Sequence, residues 1–335
     1  MTNPVLVEIL RGGIVESAHR GAVVVVDGDG RTVAAVGDVA RPVFPRSAVK
    51  AIQALPLVES GAADAYGFGN AELALACASH AGEPGHTELA AAMLARAGLD
   101  ETALECGTHW PSSQEATIAL ARSGGTAGPL HNNCSGKHSG FLATCRHCGI
   151  DHRGYVGAGH RFQAMIAQTM SEVTGAAHDD GNMGIDGCSI PTYAVPLQSL
   201  ALGFARMTTG NGLEPQRAAA AKRLMNACMA EPFYVSGTGG ACTRLMEAAP
   251  GRIFAKIGAE GVYCAALPKL GLGIALKCDD GASRAAEAMV ASVMGRLLGD
   301  EALAAKLDAI GSPEILNRRG VAVGKVRVTE ALAAL

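Results

Sequence analysis

Strand patterns crowd both ends of this chain and helical patterns fill its middle, which restricts the topologies open to it. The segment Gly21-Ala22-Val23-Val24-Val25-Val26-Asp27-Gly28-Asp29-Gly30-Arg31-Thr32-Val33-Ala34-Ala35-Val36 reads as a hairpin turning at Asp-Gly-Asp-Gly. Late in the chain, Arg252–Ile257, Val262–Ala266 and Leu272–Lys277 are parted by short glycine turns, as in an antiparallel meander, and Val321–Val328 reads as a further strand. Between them, helices are expected after Asn70, over Thr87–Arg96, after Ser112-Ser113-Gln114-Glu115, and over about 138–148, 160–174, 215–230 and 283–298. Such an order implies an α/β (α+β) fold: one antiparallel sheet built from both ends with a helical region inserted. The expectation is a single domain over 1–335, with a sheet lobe of about 1–44 and 250–335 and a helical lobe of about 45–249.

Composition excludes several function classes. Hydrophobic residues make up 49% of the chain and charged residues 18%, so a packed core is expected. No apolar run reaches the roughly 20 residues that span a bilayer, so no membrane role is expected. A net charge of −3 offers no basic footprint for nucleic acid. The first residues lack a basic segment followed by an apolar core, so a cytoplasmic setting is expected, with the 10 cysteines mostly reduced. Most of those thiols, Cys77, Cys106, Cys228, Cys264 and Cys278 among them, read as small buried apolar residues.

Chemistry concentrates in a few short motifs. In Pro45-Arg46-Ser47-Ala48-Val49-Lys50 a lysine follows a serine by three residues, so one helical turn puts both on one face. A neutral amine there can take the hydroxyl proton and turn Ser47 into a nucleophile. Lys256 in Lys256-Ile257-Gly258 lies on a predicted strand, as a late Lys-Thr-Gly does in Ser-x-x-Lys hydrolases, although isoleucine replaces the hydroxyl residue. Ser79-His80 follows an apolar helix; Ser79 offers a second hydroxyl and His80 a neighbouring hydrogen-bonding ring. His131-Asn132-Asn133-Cys134-Ser135-Gly136-Lys137-His138 and Asp186-Gly187-Cys188 hold thiols, an imidazole and a carboxylate; Cys134 and His138 alone make half a zinc site. Cys145-Arg146-His147-Cys148 falls inside a helical pattern with no second pair. Ser236-Gly237-Thr238-Gly239-Gly240 lacks the lysine of a phosphate loop and reads as a backbone wall near a small substrate.

Taken together, Pro45-Arg46-Ser47-x-x-Lys50, Ser79-His80, Asn133 through His138, Asp186-Gly187-Cys188 and Gly237-Thr238-Gly239 resemble the rhizobial-type (class 3, thermolabile) L-asparaginases. The resemblance runs from about Val5 to about Lys277. It implies a fold like those of serine β-lactamases and glutaminases, with L-asparagine hydrolysed to L-aspartate and ammonia. By motif, it implies Ser47 as nucleophile with Lys50 as its base, and Ser79 with Lys256 as a second Ser-Lys pair. It further implies Zn²⁺ held by Cys134, Lys137 and Cys188, with Arg46, His80, His138, Asp186 and Cys242 around the substrate. Gly240 stands where relatives carry a larger polar residue. A homodimer is expected. The competing expectations are a related serine amidohydrolase, acting on glutamine or a β-lactam, and a non-catalytic zinc or thiol protein.

Overall fold

A computed structural model describes residues 2–335. The backbone is organised by one sheet to which both ends of the chain contribute. Its strands are β1 (Val5–Arg11), β2 (Ile14–Asp27), β3 (Thr32–Val36), β4 (Phe254–Gly258), β5 (Val262–Leu267), β6 (Leu272–Cys278), β7 (Glu314–Leu316) and β8 (Ala322–Val328). In space they run β7-β8-β1-β2-β6-β5-β4, every pair antiparallel, with β3 beside β2. The expected sheet, its hairpin and its meander are therefore present.

The principal helices are α1 (Asn70–Ala76), α2 (Pro84–Arg96), α3 (Gln114–Arg122), α4 (Ser135–His147), α5 (Arg161–Thr174), α6 (Leu197–Thr209), α7 (Pro215–Ala230), α8 (Ala241–Ala248), α9 (Ser283–Leu298) and α10 (Glu301–Gly311). Helix α6 packs on β2, β5 and β6, and α9 packs on β1, β5, β6 and β8. Every residue of β5 and the run Ala22–Val26 are buried, so helices cover both faces of the sheet's centre. That explains why these strands read as continuous apolar runs instead of alternating.

Several helix starts differ from the sequence expectation. Gly69, not Asn70, caps α1: its N–H donates to the Glu72 carboxylate at 2.9 Å. Helix α2 begins at Pro84, where a missing N–H is harmless, three residues before Thr87. Ser113 rather than Ser112 caps α3, accepting from Ala116 N–H at 3.3 Å, and α4 starts at Ser135 instead of 138. Helix α6 had no counterpart in the sequence reading. Its apolar residues spread widely and it contains Gly203, which packs against Thr174 and Ile52.

Candidate active site

The site forms where α1 ends, α4 begins, β4 forms the sheet edge and a 3₁₀ turn over Arg46–Val49 leads into Lys50–Gln53. Two glycines let these pieces meet. A side chain at Gly258 would lie 2.5 Å from the Pro45 carbonyl, so β4 can approach the 3₁₀ turn only without a Cβ. At Gly136 an added Cβ would meet the Leu75 carbonyl at 2.4 Å, which brings α4 onto α1. Arg46 has φ of 51°, a conformation unfavourable for a side chain that large, and it sits immediately before Ser47.

Lys50 and Lys256 are both buried, and their ammonium groups converge on one hydroxyl. Lys50 Nζ donates to Ser79 Oγ at 3.0 Å and Lys256 Nζ to the same oxygen at 2.9 Å. Lys50 completes its donor set on Ala78 O (2.5 Å) and Cys134 Sγ (3.1 Å). Lys256 adds Ile257 O at 2.9 Å. Ser79 itself is fixed by its N–H on Val235 O, and the next N–H, of His80, reaches Asn133 O. Burial holds the Lys256 amine down at about 8, so a neutral fraction exists near physiological pH. Ser47, partly exposed, accepts the Lys50 backbone N–H through its carbonyl; its hydroxyl is not among the acceptors of Lys50 Nζ. The one-turn spacing thus brings Ser47 and Lys50 into the same region, while the observed lysine contacts belong to Ser79.

Beside this pair lies a sulfur-rich group. Lys137 Nζ donates to Cys188 Sγ at 3.1 Å, and Cys134 Sγ takes the Lys50 contact. A hydrogen bond from Cys188 pulls the Cys134 thiol well below its usual range, against burial and with the help of the Lys50 and Lys137 charges. The Cys188 thiol, acting as donor in that pair, is pushed upward. Burial disfavours the charge on Lys137, but the two sulfurs outweigh it and raise its value. Arg46 Nε donates to Asp186 Oδ1 at 2.7 Å. Asp186 is held low: burial opposes its charge, and Lys137, Arg46 and the Gly187 N–H outweigh that penalty.

Three residues expected around the substrate make hydrogen bonds within the protein. His80 uses both ring nitrogens on the protein: Gly82 N–H donates to Nδ1 at 3.1 Å, so Nε2 donates to Ser135 Oγ at 2.9 Å. Cys242, fully buried, accepts from Ile257 N–H at 3.2 Å and meets Tyr263 OH at 3.1 Å, bracing β4 from behind. His138 Nδ1 meets Tyr155 OH at 2.6 Å. That hydroxyl already accepts Glu105 N–H at 3.1 Å, so its proton goes to Nδ1 and the ring keeps its own on Nε2, which is buried without a partner. Tyr155 was not visible to sequence reasoning: it stands in a glycine-rich loop with no motif around it. Asn133, by contrast, lay inside a quoted motif, and its carbonyl positions His80. Cys145 is buried and Cys148 partly exposed, both as free thiols one helical turn apart.

No curated protein sequence matches the chain. Among solved structures it is similar to Mglu in its glutamate form, at 15% identity and a TM-score of 0.45, covering 85% of this chain and 61% of that one. It thus spans less than two thirds of that structure's length. It is also similar to a D-alanine carboxypeptidase from Burkholderia cenocepacia (12% identity, TM-score 0.40, 86% and 92% covered). A β-lactamase from Mycobacterium bovis is similar at 14% identity and a TM-score of 0.34, with 79% and 89% covered. A sequence model described as L-asparaginase II matches residues 7–328, from β1 through the last residue of β8. On that match the chain belongs to the L-asparaginase II family.

Proposed function

We propose that this chain hydrolyses the side-chain amide of L-asparagine to L-aspartate and ammonia through a serine acyl-enzyme. The observation that carries the reading is the buried chain Lys50 Nζ–Ser79 Oγ–Lys256 Nζ beside Ser47, since two lysines on one hydroxyl form a proton relay. Ser47 Oγ bonds the amide carbon as its proton passes to the Lys50 amine. The C–N bond then breaks, and the relay through Ser79 and Lys256 delivers a proton to the departing nitrogen. Water hydrolyses the ester, and the proton it loses restores the Ser47 hydroxyl. The missing Ser47–Lys50 hydrogen bond is compatible with this order, because catalytic contacts often tighten only around substrate. The Arg46–Asp186 pair, partly exposed beside Ser47, offers a cation and an anion to the α-carboxylate and α-amino groups of the substrate.

Cys134, Lys137 and Cys188 suit zinc: sulfur and nitrogen donors lie together, and one thiol loses its proton readily. A zinc ion there would supply fixed positive charge for orienting the α-carboxylate of the zwitterionic substrate. Lys137 must shed a proton to join it, so Asp186 and Arg46 would keep their own pairing beside a changed charge.

A second reading has a specific observation behind it. Both lysines touch Ser79 and neither touches the Ser47 hydroxyl, so Ser79 could itself be the nucleophile. Rapid-quench mass spectrometry on asparagine turnover separates the two: an acyl adduct on the peptide holding Ser47 supports the first, one on Ser79 the second. Ammonia release from asparagine against glutamine, with a chromogenic β-lactam alongside, tests the substrate. Faster turnover of glutamine or the lactam than of asparagine refutes the asparaginase assignment. The reading includes a cytoplasmic homodimer, to be checked by sedimentation of the purified chain.

A further inference from the structure

Away from this site, Cys278 is not simply an apolar filler. His19 on β2, Cys278 at the end of β6 and Asp280 in the turn before α9 bring a ring nitrogen, a sulfur and a carboxylate oxygen within 4.8 Å of one another. Among the described residues they are the one cluster of three such side chains. Sheet register builds it. Cys278 pairs with Gly21, and the Asp279 N–H continues the ladder onto Arg20 O at 2.9 Å, which carries the chain along β2 toward His19. The two neighbouring aspartates then face different ways. Asp279 accepts the Asn3 amide at 3.0 and 3.1 Å, while Asp280 turns to His19 and Cys278.

Asp280 is already oriented. Its Oδ1 accepts the Ala282 N–H at 3.0 Å and the Cys278 thiol at 2.9 Å, and its Oδ2 meets His19 Nδ1 at 2.6 Å. His19 and Cys278 are buried, whereas the Asp280 side chain is 48% exposed, which leaves a way in from solvent. Nearby cations are engaged elsewhere: Lys277 Nζ on the carbonyls of Glu260 and Cys278, Arg20 on Asn3 O, and Arg41 toward Asp279.

We propose that His19 Nδ1, Cys278 Sγ and the Asp280 carboxylate form a second cation site, for zinc or a similar borderline divalent ion. A thiolate with an imidazole favours such ions over magnesium or calcium. Binding forms three metal–ligand bonds and releases one proton, from the thiol, since the neutral imidazole binds through Nδ1 with its own proton on Nε2. Thiolate and carboxylate together balance the ion's charge, and water takes the fourth tetrahedral position. The Ala282 N–H on Oδ1 holds the carboxylate while the other oxygen ligates. His19 Nε2 is buried without a partner, so the metallated ring keeps an unsatisfied N–H there. The site is therefore weaker than zinc centres whose outer hydrogen bonds are complete. The bound ion clamps β2 to the start of α9, a structural role separate from amide hydrolysis.

The test uses metal-free full-length protein titrated with Co²⁺ alone. In Cys134→Ser/Cys188→Ser protein, one equivalent is expected with a near-ultraviolet thiolate-to-cobalt band and one proton released in weak buffer. Adding Cys278→Ser should remove the band, and adding Asp280→Asn should weaken binding about tenfold or more while the far-ultraviolet dichroism is kept. Zinc should raise the melting temperature of the double variant but not of its Asp280→Asn derivative. No binding in the double variant, or a band that survives Cys278→Ser, overturns the proposal. Should the double variant not fold, the wild-type count decides: a loss of one equivalent in Asp280→Asn supports the site, and an unchanged count overturns it.

Discussion

At the scale of single residues, the two lysines on Ser79 set the expected behaviour. In the proposed relay Lys256 can take up the proton passed on from Lys50 through Ser79 only when neutral, and its value of about 8 puts that transition within reach of assay. Asparagine kcat/KM should therefore rise with pH up to about 8 and then level, and Lys256→Arg should lose at least about 100-fold and the rising limb with it. A profile flat between pH 6 and 9 would exclude Lys256 as the titrating base. The same burial has a stability consequence. The unfolded lysine titrates near 10.5, so between about 8 and 10.5 the unfolded chain holds the proton more tightly and stability climbs with pH. Below 8 the buried charge costs roughly 3 kcal/mol. Lys256→Met should hence be more stable than the parent at pH 7, by an amount that shrinks above pH 8, as measured by denaturant unfolding at both pH values. Ser47→Ala should abolish turnover with melting temperature and zinc content unchanged; retained activity in that variant removes Ser47 from the mechanism.

At the scale of elements, the groups of the candidate site are held by close backbone approaches. Gly258→Ala would force β4 away from the Pro45 carbonyl and so part Lys256 from the turn that carries Ser47. Activity should fall by orders of magnitude, while stability drops by roughly 1–3 kcal/mol. Paired kcat/KM and thermal unfolding measurements check this, and a variant with parental activity would show that the approach is dispensable. Much of the element pattern was legible beforehand. The stretches 215–230 and 283–298 were read with their observed bounds, because the polar–apolar pattern and the flanking signals agreed. Helix α6 was not, since Gly203 interrupts it and Leu202 lies on its partly exposed side, which blurs the polar–apolar period.

Across the whole molecule, both chain ends enter one sheet and the site is assembled between early, middle and late segments. We read it as one domain, in which case unfolding should be a single cooperative transition, coincident by dichroism and by fluorescence of the lone tryptophan, Trp110. Removing residues 322–335 should expose the β1 edge, because β8 pairs with it, and should lower solubility and stability together. Two separated transitions would divide the domain. No helix among the described residues is long and apolar enough to cross a membrane. By itself the sequence determined the strand-helix-strand order and nominated Ser47, Lys50, Ser79, Lys256 and the cysteine motifs, because residue type and local spacing suffice for those. Tertiary structure alone decided which hydroxyl the lysines touch, that His80 and Cys242 brace the site from behind, that Tyr155 orients His138, and that His19 meets Cys278 and Asp280. Those outcomes depend on contacts between residues far apart in the chain, whose geometry is fixed by sheet register and helix packing and leaves no local trace.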